Sequence, residues 1–136
     1  MSLMSSGGSM SKTWRQRCLS NPDTMFVRAA NSAKRRSFNK EIPFSISAKF
    51  LKDLYIEQNG LCYYSGMPIS MVKRDPRVLH DPFKMTLDRV DPNKGYVEDN
   101  VVWCAYCVNS MKQKMPLKTF INVCKSIAKN SSSNKK

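Results

Sequence analysis

Residues 85–112, MTLDRVDPNKGYVEDNVVWCAYCVNSMK, constrain the fold more than any other part of the chain. Met85 and Leu87 alternate with Thr86 and Asp88, the period-two pattern of a half-buried strand. The pattern breaks at DPNKG, where Pro92, Asn93 and Gly95 supply turn chemistry. Residues 101–103 then read as a second strand. From Cys104 the spacing of Tyr106, Val108 and Met111 suits a helix that carries Asn109 and Lys112. Two short strands running into one helix make a compact unit. In it Asp88, closing the first strand, and Asn109, in the helix, can bring two side-chain oxygens together. Two oxygen ligands with the remaining positions left to water suit Mg2+.

These residues resemble the ββα-metal motif of HNH endonucleases, the His-Me finger. The family's Asp-His-Ile-x-Pro is matched by Asp88-Arg89-Val90-Asp91-Pro92, its Gly-Tyr…Asn loop by Gly95-Tyr96…Asn100, and its Asn-x-x-Lys by residues 109–112, NSMK. The segment QNGLCYYSGMPI upstream is similar to one that precedes the motif in phage HNH proteins, so the likeness covers roughly residues 25–128. The resemblance implies an α+β fold, a small single domain built around the ββα-metal unit with flanking helices. It also implies a Mg2+-dependent (or Mn2+-dependent) DNA endonuclease, of phage homing or nicking type. Asp88 and Asn109 are then the metal ligands, Asn100 a loop-fixing residue and Lys112 a phosphate contact. One departure matters: Arg89 stands where the family carries its general-base histidine.

Charge supports a polyanionic partner. Lys and Arg number 23 against 10 Asp and Glu, a net charge of +13, which points to a polyanion, and the resemblance implies that it is double-stranded DNA. The chain has 136 residues, enough for one modest core and not two. No apolar run approaches the ~20 residues of a membrane span. The N-terminus lacks the apolar stretch of a secretory leader, so an intracellular location, the host cytoplasm for a phage protein, is expected. Five cysteines, an odd number, fit reduced thiols or a metal site better than a disulfide framework.

Along the chain, residues 1–11 are Ser- and Gly-rich and tag-like, and residues 12–40 form a basic helical arm. Pro22 and Asp23 start a helix with Met25, Phe26, Ala29, Ala30 and Ala33 on one face. Arg28, Lys34, Arg35 and Arg36 are its candidate phosphate contacts, joined by Arg89 and Lys112 from the motif. Residues 41–128 make the nuclease-like domain. Ser47 caps a helix with an apolar stripe of Phe50, Leu51, Leu54 and Tyr55, ending at Asn59-Gly60. Residues 70–82 read as a loop carrying His80, the one histidine. Pro116 opens a last helix whose Phe120, Ile121, Val123, Cys124 and Ile127 form an apolar face expected to pack across the motif. Residues 129–136 read as a disordered polar tail.

Phosphodiester hydrolysis needs a cation on the phosphate, a base for the water and charge to stabilise the pentacoordinate oxyanion. Arg89 stays protonated and clamps an oxygen rather than serving as base. His80, Asp91 or Tyr64 remains as candidate base, or the water is activated without a protein base. Alternatively the chain binds DNA and no longer cuts. A structure-selective nuclease resembling endonuclease VII would need two complete zinc knuckles. Here Cys104 and Cys107 form one, but the other reads Cys62-Tyr63-Tyr64-Ser65. Cys62, Cys104 and Cys107, with His80, can complete a structural Zn2+ site only if the loop folds back. Buried, reduced cysteines, Cys18 and Cys124 included, are the simpler expectation. The choice between monomer and homodimer stays open.

Overall fold

The computed structural model describes residues 13, 16 and 20–133. The expected N-terminal segment 1–11, Cys18 and the last three residues of the tail lie outside them. The described residues form a mixed α+β domain with four helices and one two-stranded sheet. Helices α1 (Asp23–Lys40) and α2 (Ala48–Glu57) precede strands β1 (Met85–Arg89) and β2 (Val101–Ala105), and helices α3 (Tyr106–Lys112) and α4 (Leu117–Ser133) follow.

Each helix boundary has a local cause. The Asn21 side chain accepts from the Asp23 amide as α1 begins, and the helix stops where Glu41 turns left-handed at φ 54°, just before Pro43. Ser47 Oγ accepts from the Phe50 amide at 3.0 Å and caps α2, which ends at Asn59 and Gly60, both at positive φ. Met25, Phe26, Ala30 and Ala33 of α1 share one core with Leu51, Met85 and Trp103. The basic arm is therefore part of the packed domain: Phe26 lies edge-on to Trp103, with ring centres 6.0 Å apart.

β1 and β2 pair antiparallel, Met85 opposite Ala105 and Asp88 opposite Val102. All five β2 residues are buried, and the helix begins at Tyr106, two residues later than the spacing suggested. The Tyr106 amide still donates to the Lys84 carbonyl at 2.8 Å, which prolongs the ladder through that point. The far edge of β2 is covered by the Gln58 side chain and by the Tyr63 amide, which donates to the Trp103 carbonyl at 3.0 Å. Gln58 accepts from the Trp103 amide and donates to its carbonyl, as a paired strand would.

Helix α4 departs from expectation. Only Phe120 is buried, against the edge of Tyr64, while Ile121, Val123, Cys124 and Ile127 are exposed. Its apolar face does not pack across the hairpin, and the helix runs on to Ser133, into the stretch read as a polar tail. No helix among the described residues is long and apolar enough to cross a membrane.

Candidate nucleic-acid and metal site

The loop between the strands is built by Asn100. Its amide nitrogen donates to the Asp91 and Gly95 carbonyls at 3.1 and 2.9 Å, and its oxygen accepts from the Asp91 amide at 2.9 Å. Asn100 is 4% exposed, so these bonds are its function in the fold. Gly95 is required for a different reason. A Cβ there would collide with the Pro43 carbonyl, because the Tyr96 amide donates to that carbonyl and lays residues 43–45 beside the loop.

This frame sets Asp88 and Asn109 on a cleft of about 920 Å3 between α1 and the hairpin. Asp88 Oδ2 accepts from the Tyr64 hydroxyl at 2.7 Å and pairs with the Lys112 ammonium at 3.2 Å. Among the described residues Oδ1 has no hydrogen-bond partner, and the Asp88 side chain, 11% exposed, lines the cleft. Asn109 is oriented by Thr86. That hydroxyl gives its proton to the Cys104 carbonyl at 3.2 Å, so it must accept from the Asn109 amide nitrogen, which lies 3.1 Å away. The Asn109 oxygen is thereby turned away from the strand. One carboxylate oxygen and one amide oxygen on the same wall, with room for water and a phosphate, fit the donor set of Mg2+ or Mn2+.

Six cations line the cleft (Arg28, Arg36, Lys40, Lys84, Arg89 and Lys114), with Asp88 as the only acid. Of the candidate contacts on α1, Arg28 and Arg36 line the cleft, whereas Lys34 and Arg35 are exposed and do not line it. Lys40, Lys84 and Lys114 were not singled out from the sequence. Lys40 sits one turn beyond Arg36 on the same face of α1, and Lys84 shares the strand parity of Thr86 and Asp88, so periodicity carried both signals.

The Lys112 side chain is fully buried, with Nζ also 3.3 Å from the Arg89 carbonyl. A side chain with no exposure does not meet a phosphate. Lys112 holds the Asp88 carboxylate and the end of β1 in place instead.

Arg89 lies over Tyr96, and its Nη1 donates to the Pro92 and Lys94 carbonyls at 3.0 Å each. Tyr64 cannot supply a phenolate. Burial, then its hydrogen bond to Asp88, pushes its hydroxyl far above the ordinary tyrosine range.

His80 is exposed and stacks on Tyr106, with ring centres 4.9 Å apart. Tyr106 adjoins the Met85–Ala105 end of the hairpin, three residues of strand from Asp88, or roughly 10 Å along it. His80 is not brought to the cleft. Its neighbour Asp81, which sequence reasoning passed over, organises this loop. The carboxylate is buried and accepts from the Arg74 and Phe83 amides and from the Arg74 guanidinium.

Cys62 and Cys104 are buried and Cys107 half-buried, all as free thiols. Burial pushes the Cys104 thiol up to about 12. Ser65 occupies its knuckle position by donating its amide to Cys62 Sγ at 3.4 Å. Among the described residues, no three His, Cys, Asp or Glu side chains converge as a metal-binding group. Comparison with protein-family models, with curated proteins and with solved structures finds no match.

Proposed function

We propose that this chain is a Mg2+- or Mn2+-dependent DNA endonuclease of the HNH type, acting from the cleft between α1 and the β1–β2 hairpin. One observation carries the reading: Asp88, the one acid among the described residues lining the cleft, stands with Asn109 on the wall of a cleft lined by six cations. Arg28, Arg36, Lys40, Lys84 and Lys114 draw in the phosphate backbone, a sequence-independent attraction that weakens as salt rises. Asp88 Oδ1 and the Asn109 oxygen hold the cation, whose contribution is to polarise the scissile phosphate and neutralise its charge. Arg89 presents Nε and Nη2 toward charge developing on the phosphate, because Nη1 is already committed to the loop. Neither an imidazole nor a phenolate activates the water in this reading, and Asp91 lines a neighbouring pocket rather than the cleft, so the water is activated without a protein base.

A second reading has its own observation. Lys112 already neutralises Asp88, and no histidine lines the cleft, so the same surface suits a protein that binds DNA without cutting it. Plasmid nicking with and without Mg2+ separates the two. The nuclease reading expects metal-dependent nicking by the wild type and none by Asp88→Asn, which keeps an acceptor for Lys112, with the circular dichroism spectrum as the check on folding. Tight binding with no cleavage in Mg2+ or Mn2+ selects the second reading, and undiminished cleavage by Asp88→Asn removes the site from both.

A further inference from the structure

Tyr96 is 5% exposed and joins two guanidinium groups from separate elements. Arg36 on α1 donates Nε to the Tyr96 hydroxyl at 3.0 Å, with Cζ 5.4 Å from the ring centre. Arg89, closing β1, holds its Cζ 5.2 Å from the same centre and is tethered by Nη1 to two loop carbonyls. Both side chains line the cleft that contains Asp88. Neither takes part in the ion pairs that Lys49, Lys52, Arg74, Arg77 and Lys112 make with carboxylates among the described residues. Two like charges are thus gathered on one aromatic ring with no carboxylate between them. Their mutual repulsion is a cost that an anion would relieve.

We infer that Arg36 and Arg89 form a two-pronged clamp for the phosphodiester backbone, with Tyr96 as its positioning residue. This rests on the reading that the cleft holds DNA. The bonds already made leave both Nη groups of Arg36 and the Nε and Nη2 of Arg89 to meet phosphate oxygens, the planar fork that suits such oxygens. Sharing one ring keeps the prongs close enough for one phosphate or two neighbours on a strand. Because Tyr96 and the loop carbonyls fix the rotamers beforehand, less side-chain entropy is lost on binding. The two prongs also tie α1 to the hairpin at the point where the backbone must lie.

The test is the salt dependence of binding to a short duplex in EDTA, for the full chain and for Arg36→Ala, Arg89→Ala and Tyr96→Phe. Each phosphate contact adds about 0.9 to the slope of log K against log salt. Arg36→Ala and Arg89→Ala should each lower the slope by about 1 and the affinity on the order of tenfold or more. Tyr96→Phe keeps the ring and removes the anchor of Arg36, so affinity should fall a fewfold at unchanged slope. Arg36 touches no backbone group, so its variant is decisive, with the circular dichroism spectrum as the check on folding. A wild-type slope in folded Arg36→Ala overturns the clamp while leaving the cleft reading intact. Salt-independent binding by the wild type overturns the cleft reading itself.

Discussion

Removing the Lys112 ammonium should destabilise the domain, and removing its partner should destabilise it more. Nζ has no exposure and is held by Asp88 Oδ2 at 3.2 Å, by the Arg89 carbonyl at 3.3 Å and by the Tyr64 ring at 5.8 Å. Breaking a buried pair from one side costs about 3–5 kcal/mol, because the surviving charge is left uncompensated. The two sides are not equivalent here. In Lys112→Met the stranded group is Asp88, whose side chain is 11% exposed and keeps the Tyr64 hydroxyl, so the cost belongs near the lower end, about 3 kcal/mol. In Asp88→Ala the stranded group is a fully enclosed ammonium, which puts the cost at the upper end, about 5 kcal/mol. The double variant should cost less than the sum, since neither charge then remains. Urea unfolding reads all four proteins. With a slope of about 1.5 kcal/mol/M, the Lys112→Met midpoint moves down by about 2 M. A Lys112→Met protein within about 1 kcal/mol of wild type, or an Asp88→Ala protein no less stable than Lys112→Met, would refute the reasoning.

Three further outcomes follow from other groups. Asp81 is held well below the usual carboxylate range by the Arg74 guanidinium and by the Arg74 and Phe83 amides. A depressed carboxylate adds stability that is present above the unfolded value near ~4 and is lost as pH falls toward the folded one. Wild-type melting temperature should therefore drop in acid, and Asp81→Asn should be less stable at pH 7 with a flatter acid limb, as calorimetry across pH would show. A thiol reagent on native protein should label exposed Cys124 quickly and buried Cys62 and Cys104 only in denaturant. Rapid native labelling of Cys104 would contradict its burial. His80→Ala should cut at a rate within about threefold of wild type, against the ~100-fold or greater loss expected of a general base, and the pH–rate profile should lack a limb near ~6.5.

What the sequence disclosed was local. Ser47, Asn59-Gly60 and Pro92-Asn93 act on their own neighbours, so the cap, the helix end and the hairpin loop were all legible. That Asp88 and Asn109 line one cleft was legible too, because a strand end and the following helix have few ways to pack. The β2–α3 boundary was not, since a continuous apolar run such as 101–105 reads equally as buried strand or buried helix. Lys112 was misplaced for a related reason. Its spacing from Asn109 gave the correct helix face, but a lysine reads as exposed unless the carboxylate that receives it, 24 residues away in sequence, is already placed. The contacts of Arg36 and His80 with Tyr96 and Tyr106 are equally non-local. In the run of cations at 34–36 only the phase of α1 against the core selects Arg36 for the cleft and leaves Lys34 and Arg35 outside it.

The departure at Arg89 and the burial of Lys112 act on the same atoms. Where the resemblance to HNH proteins would put an imidazole, the strand end carries a guanidinium, and the carboxylate beside it receives an ammonium on Oδ2. Together they leave the cleft, among the described residues, lined by six cations and without an imidazole. Such a site favours a bound phosphate over an activated water. It therefore places the demands of catalysis on the Oδ1 oxygen, which the ammonium leaves without a partner among the described residues, on the cleft wall that Asn109 shares. If a divalent cation works here, it has to bind with Lys112 in place on the other carboxylate oxygen, so its affinity before DNA arrives is weakened by a like charge a few ångströms away. A phosphate brings negative charge to the same point and reverses that penalty. Metal and DNA should accordingly bind with positive coupling, each tightening the other by the same factor. A protein that only holds DNA has no such requirement, so the coupling measured in a double titration separates cleaving from non-cleaving readings even where turnover is too slow to see.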